Sequence, residues 1–261
     1  MFFEIIFKAD KNQPNVVGIK MPHFFIKSQN VQNNKISICD KENYTHIAKS
    51  LRIKIGENVL LIDENQVQYE GKVNDITSKE IIVDINKKYP SERFLKFELY
   101  LAQSPLRSDA QNIIIEKATE LGVTGVYPIF TDNCVLKKSV IEQKISKWQK
   151  IMYESSKQCE RANIPTCFEL TTIKELVENK SFDRIYAFTE RSAKFKLKEE
   201  LAKFPINNNE KILVIIGPEG GFSKEEFEYF ENSDKLKTLT LGDLILRAET
   251  AVITALGNIV L

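Results

Sequence analysis

From Met21 to about Asn86, apolar and polar positions alternate in short runs: PHFFI, KISI, ENVLLID, QVQYEGKVNDI and EIIVDI. Turn residues such as Asp63, Glu64 and Asn65, and Ser78 with Lys79, separate them. Period-two alternation in short segments places one face of each on a core, which predicts a small β-barrel or sandwich. One helix, Lys41 to Ser50, interrupts it and leads into LRIKIGE, where Lys49, Arg52 and Lys54 make a small basic cluster. Residues 1–20, polar around FKADKNQPN and broken at Pro14, are read as an N-terminal extension, disordered or upstream of the folded body.

The stretch KKYPSER, Lys87 to Arg93, reads as a linker, and beyond it the period changes. Phe97 to Ala102 is a predicted strand. A helix follows from Ser108 with Ile113, Ile114, Ala118 and Leu121 on one side and Gly122 just past its end, the position where a left-handed residue closes a helix. Val126 to Phe130 is the next strand. The longest helix is predicted from about Ser139 to Glu160, with Ile141, Ile145, Trp148, Met152, Ser155 and Cys159 at steps of three or four, and Trp148 is assigned to packing. Thr172 and Glu175 form a capping box, Ile185 to Phe188 a strand, and Lys196 to Lys203 a helix. Strands alternating with helices imply a mostly parallel sheet covered on both faces, an α/β domain over residues 91–261 behind a β-rich domain over 21–90.

The last fifty residues hold two strand-loop-helix units. Ile212 to Ile216 is an unbroken apolar run, followed by Gly217, Pro218, Glu219, Gly220 and Gly221, and Ser223 with Glu226 opens a helix. Thr238 to Leu241 is a short strand, Gly242 to Leu246 a loop, and Arg247 onward a helix carrying Val252, Ala255, Leu256 and Ile259. Loops at the carboxyl ends of strands are where open α/β sheets bind ligands. Neither a G-x-G-x-x-G nor a G-x-x-x-x-G-K-[ST] fingerprint occurs, and Glu219 would repel a phosphate. A ligand without phosphates, or with a positive charge, suits the loops better. The glycines read equally well as turn residues with positive φ.

Composition narrows the partners more than the fold. The chain has 261 residues, 43% hydrophobic and 28% charged, with net charge +1. Cutting at Glu92 divides the charge evenly, 13 basic against 12 acidic residues before it and 24 against 24 after it. Nucleic-acid binding must therefore use a local patch rather than a global field. Cys39, Cys134, Cys159 and Cys167 have no C-x-x-C spacing, and with only two histidines no metal site is expected. No run has the length of a membrane span, and Met1 to Phe7 lacks the features of a signal peptide, so the chain is read as cytoplasmic with no membrane partner.

IGPEGGFSKEE followed by LGDLILRAETA closely resembles the paired signature of the RsmE family, the 16S ribosomal RNA uridine-N3 methyltransferases of the SPOUT superfamily. Three further segments match in the same order: HIAKSLRIKIGE, IEKATELGV and QCERANIP. The resemblance implies a PUA-like β-barrel that helps hold RNA, then a SPOUT-type α/β methyltransferase domain threaded into a trefoil knot. It further implies S-adenosylmethionine as cofactor, a homodimer, and 16S rRNA, within the 30S subunit, as partner. The alternatives are a knotted methyltransferase acting on another RNA such as transfer RNA, and a non-catalytic RNA-binding assembly factor.

By position, the resemblance places Gly217, Glu219 and Gly220 on one side of the cofactor, Leu241, Gly242, Ile245, Leu246 and Ala248 on another, and Phe188, Thr189 and Glu190 on a third loop. Arg161 and Arg247 are expected to orient RNA phosphate or the target uracil, whose N3 must lose its proton before it attacks. An arginine near a uracil oxygen would stabilise the anion. Glu249 is a candidate base, or equally a carboxylate that suits the first turn of a helix. His23, His46, Lys49, Arg52 and Arg107 are expected to contact RNA. The chain departs from the family at His23, where arginine is usual, and at Ala110 and Asn112, where a basic and an acidic residue are common, which puts RNA contacts in doubt more than cofactor binding.

Overall fold

The computed structural model describes residues 23–189, 193 and 195–261, so the expectations for residues 1–20 and for Glu190 lie outside the described residues. The described chain divides into two compact units, one ending at Tyr89 and one beginning at Pro90.

The first unit is a six-stranded sheet. Its strands are β1 (His23–Phe25), β2 (Val31–Gln32), β3 (Lys35–Ile38), β4 (Asn58–Ile62), β5 (Val67–Ile76) and β6 (Ile81–Pro90), in the order β1-β4-β5-β6-β3-β2. Alternate residues fill one core: Ile36 and Ile38, Val59 and Leu61, Tyr69 and Val73, Ile81 and Val83. Gly71 stands between Tyr69 and Val73 because a Cβ there would lie 2.3 Å from Val83 Cγ1 and 2.9 Å from the Asp84 carbonyl. The predicted helix is an α-turn, α1 (Lys41–Tyr44), that widens into a π-helix over Thr45–Ser50. Asp40 caps it by accepting from Asn43 N at 2.9 Å, and Ile47 plugs the core. The expected linker is shorter than KKYPSER, because β6 runs on to Pro90. Cross-strand contacts extend it: the Tyr89 hydroxyl donates to Glu70 at 2.8 Å, Lys87 pairs with Glu70, and Lys88 lies over the Tyr69 ring.

The second unit is a parallel sheet with helices on both faces. In chain order it comprises β7 (Glu98–Gln103), α2 (Ser108–Glu120), β8 (Gly125–Pro128), α3 (Lys138–Gln158), β9 (Thr166–Cys167), α4 (Ile173–Asn179), β10 (Arg184–Phe188) and β11 (Phe195–Lys196). It continues with α5 (Leu197–Lys203), β12 (Lys211–Ile216), α6 (Lys224–Asn232), β13 (Lys237–Thr240) and α7 (Ala248–Val260). The five expected strands are present; β9 and β11, two residues each, are additions with too little periodicity to read from sequence. Strand order is β11-β13-β10-β12-β7-β8-β9.

Side-chain alternation along β12 defines the two layers. Ile212, Val214 and Ile216 face a core shared with α2, α3, α5 and α7, and Leu213 and Ile215 face one shared with α4 and α6. Both expected capping boxes form, at Thr172 with Glu175 and at Ser223 with Glu226. Gly122, just after the end of α2, has φ +89°, and a side chain there would press on Leu95. Trp148 is 1% exposed in the first layer, so Trp148→Ala is expected to cost about 3–5 kcal/mol of stability, read as a shift in the denaturant midpoint.

Candidate functional site

A cavity of about 760 Å³ opens where β13, β10 and β12 end side by side. Parallel register brings those ends together: Phe188 lies opposite Leu239, Ala187 opposite Ile215, and Thr189 N donates to the Leu239 carbonyl at 3.0 Å. The volume falls in the range of small-molecule sites. Phe188, Ile216, Leu239, Leu241, Ile245 and Leu246 give it apolar walls.

The loop after β12 is shaped by glycine. Gly221 has φ +70°, and its N–H donates to the Pro218 carbonyl at 3.0 Å, closing a tight turn. Gly217 is buried with its Cα against a ring: an added Cβ would lie 3.1 Å from Phe222 Cζ. Phe222 in turn packs edge-on to Phe227 and Phe230. From outside, Asn133 Nδ2 donates to the carbonyls of Gly220 (3.4 Å) and Gly221 (3.2 Å), and the Ser223 hydroxyl donates to Asp132. The loop thus presents bare backbone to the cavity and is braced from behind. Burial pushes the Glu226 carboxyl above the usual carboxylate range, against its bonds from the backbone N–H groups of Ser223 and Asp132.

The loop after β13 turns on Thr240, whose hydroxyl donates to the Gly242 carbonyl at 2.9 Å and accepts from Gly242 N at 3.3 Å. It then passes through Leu244 and Ile245, exposed at 82% and 58%, and reaches Arg247, the N-cap residue of α7. Arg247, exposed, and Glu249, half-buried in the first turn of α7, both line the cavity.

Of the residues expected at the cofactor, Phe188, Thr189, Gly217, Glu219, Gly220, Leu241, Ile245, Leu246 and Ala248 line this one cavity, while Gly242 shapes its loop without lining it. Sequence reading missed Leu239, Thr240, Phe227 and Ala251, which also line it. Leu239 and Thr240 were legible in principle as the last residues of a strand ending beside β10. Phe227, four residues into a capped helix, had no signal of its own. Ala110, singled out only as a departure from the family, lies in the wall from α2.

Arg161 does not fit its expected role. It is 8% exposed, outside the cavity lining, and its guanidinium donates to the carbonyls of Thr119 (2.8 Å) and Val123 (2.9 Å) and to Asn163 Oδ1 (2.9 Å). It ties the last turn of α2, where the Thr119 carbonyl also accepts from Gly122 N, to Val123 just beyond the helix. Burial lowers its pKa to about 10, so it stays protonated at neutral pH. His23 is likewise a packing residue, 6% exposed with its ring 5.3 Å from Phe25, which does not favour an RNA contact. In the first unit, His46 is half-buried edge-on to Phe24, and Lys49 and Arg52 are exposed, Arg52 in the left-handed region with φ +53°. Arg107 is exposed at the N-cap of α2, three residues before Ala110.

Comparison with known proteins agrees with this geometry. A family model described as an RNA methyltransferase domain matches residues 93–260, and one described as an RNA methyltransferase PUA domain matches residues 38–86. The ribosomal RNA small subunit methyltransferase E of Mesomycoplasma hyopneumoniae is 31% identical over 239 residues, covering 89% of this chain and 96% of the relative. That of Rickettsia conorii is 28% identical over 244 residues, covering 92% and 96%. Among solved structures, a ribosomal RNA small subunit methyltransferase E from Neisseria gonorrhoeae bound to S-adenosyl methionine superposes with a TM-score of 0.76, at 22% identity, over 91% of this chain and 95% of that one. The fold is thus shared with that structure, and the matched models place an RNA methyltransferase domain after an RNA methyltransferase PUA domain in the chain. The chain belongs to the ribosomal RNA small subunit methyltransferase E family, whose RNA methyltransferase domain here holds the cavity between β10, β12 and β13.

Proposed function

We propose that the chain transfers a methyl group from S-adenosylmethionine to N3 of one uridine in 16S ribosomal RNA of the small subunit, in the cytoplasm. The observation that carries this reading is the single cavity at three parallel strand ends, where two glycine-bearing loops meet Arg247 and Glu249. The wall chemistry fits the cofactor: bare backbone at Gly217, Gly220 and Gly221 for polar edges, apolar side chains for a purine and ribose, and acidic Glu219 on the rim of a site that must accept a sulfonium. Bound there, S-adenosylmethionine supplies a methyl group on a positively charged sulfur.

The remaining task falls to the chain's own residues. Uracil N3 carries a proton and a delocalised lone pair, so the base must be held and deprotonated. We assign the holding to Arg247, whose guanidinium can meet the negative charge that develops on a uracil oxygen, and the proton to Glu249, two residues on. RNA contacts are assigned to His46, Lys49 and Arg52 in the PUA domain and to Arg107 at the N-terminus of α2. Exposed Ile113 on α2, Ile253 on α7, and Leu244 and Ile245 between β13 and α7 support a homodimer. The insertion of β12 between β7 and β10, with β13 beyond β10, supports threading of the C-terminal segment as a trefoil knot.

Mass spectrometry of digested 16S RNA is expected to find one 3-methyluridine in cells carrying the gene and none in cells without it; identical digests would overturn the reading. Gly217→Val is expected to weaken cofactor binding by about tenfold or more in calorimetry, because the new side chain must displace Phe222 or fill the cavity. Arg247→Ala is expected to lower kcat while leaving cofactor affinity nearly unchanged, and an equal loss in both would remove its assigned role.

A further inference from the structure

α3 is the longest helix of the second unit, about 30 Å by its 21 residues. Ile141, Trp148 and Met152 bury its inner side. Its outer side carries Lys137 at the N-cap, then Lys144, Lys147 and Lys150 at steps of three, over roughly 20 Å of helix. Lys137, Lys147 and Lys150 are exposed; Lys144 is half-buried at the edge, where a lysine stem packs while its ammonium reaches water.

What distinguishes these lysines is that four without an ion-pair partner among the described residues follow one another along a single helix and its N-cap. Several lysines elsewhere in this unit are locally paired, Lys117 with Glu116 and Glu120, Lys196 with Asp243, Lys211 with Glu98 and Lys237 with Glu200, while Lys96, Lys180, Lys198, Lys203 and Lys235 are exposed without a salt bridge among the described residues but are not strung along one long helix. None of the four on α3 has an ion-pair partner among the described residues. Of the acids on α3 itself, Glu154 is held by Lys157 at 2.8 Å, and Glu142 lies on the flank away from Lys147. Glu116 and Glu120 of the adjoining α2 are already held by Lys117. Lys138, over the Phe130 ring and near Glu175, belongs to the other flank.

The start of this stripe is tied to the cavity. Asn133, four residues before Lys137, donates to the carbonyls of Gly220 and Gly221, and Asp132 accepts from Ser223. α3 therefore departs from the braced loop of the candidate site and carries its lysines away from it. We propose that Lys137, Lys144, Lys147 and Lys150 form a docking track for the phosphate backbone of the substrate RNA, holding the strand whose target base enters the cavity. In a chain of net charge +1, a local unneutralised track supplies what the overall charge does not. The inference rests on the reading of the chain as an RNA methyltransferase and adds where the strand lies.

The test is the salt dependence of binding by the full chain, measured with 16S ribosomal RNA both as a transcript and in 30S subunits from cells lacking the gene. Neutralising three phosphate contacts lowers the slope of log affinity against log salt by about two to three. The variant Lys144→Gln, Lys147→Gln, Lys150→Gln is expected to show that fall with S-adenosylmethionine affinity unchanged, and the milder Lys147→Gln, Lys150→Gln about two-thirds of it. A matched triple elsewhere, Lys174→Gln, Lys180→Gln, Lys235→Gln, is expected to keep the original slope. An unchanged slope in the α3 variants, or an equal fall in the matched triple, overturns the track while leaving the methyltransferase reading intact. A wild-type chain that binds neither form of the RNA overturns both.

Discussion

The second unit depends on one strand being paired along both edges. β12 lies between β7, through six registered residue pairs, and β10, through four, and so joins β7-β8-β9 to the strands that carry the site. Ile212, Leu213, Val214, Ile215 and Ile216 are all buried, alternating between the two helical layers. Each such side chain contributes about 1.5–3 kcal/mol by burial, so this strand fastens the sheet at its middle. The same strand ends at Gly217, where the cavity begins. Stability and ligand geometry are therefore coupled through five residues.

Beyond that point the chain changes character. The loop after β12 turns at Gly221 and is braced by Asn133, Asp132 and the rings of Phe222, Phe227 and Phe230, so its backbone is held. Rigid backbone suits recognition of a neutral purine edge and an amino-acid moiety, which need directed donors and acceptors more than charge. The loop after β13 is held at its start by Thr240 and then exposes Leu244 and Ile245. Apolar side chains left in water beside a binding cavity favour association with another surface. Charge is placed equally sparingly: Arg247 and Glu249 at the cavity, Glu219 at its rim, and an unpaired lysine stripe along α3 that begins next to the same braced loop.

The sequence by itself determined what depends on neighbours a few residues away. Strand and helix periods, the capping boxes at Thr172 and Ser223, the helix-closing Gly122 and the two glycine-bearing loops all rest on local backbone chemistry, and they appear close to where expected, the extension of β6 to Pro90 apart. The period of burial changes from two to three or four near residue 90, where the chain divides into its two compact units. Most residues expected at the cofactor line the cavity because they sit on those loops.

Only the tertiary structure decided which strand stands beside which, and hence which loops share a cavity. Order in a parallel sheet is set by burial across long separations, and nothing in Ile212 to Ile216 states that β7 and β10 are its neighbours. The same applies to single side chains. Arg161 looked like a substrate contact in QCERANIP, but its distance in sequence from Thr119 and Val123 hid the carbonyls that hold it. His23 was expected to contact RNA and is buried. Ala110 and Phe227 reach the cavity only because α2 and α6 cross beside it. Local chemistry fixes what each segment can be; long-range packing fixes what it meets.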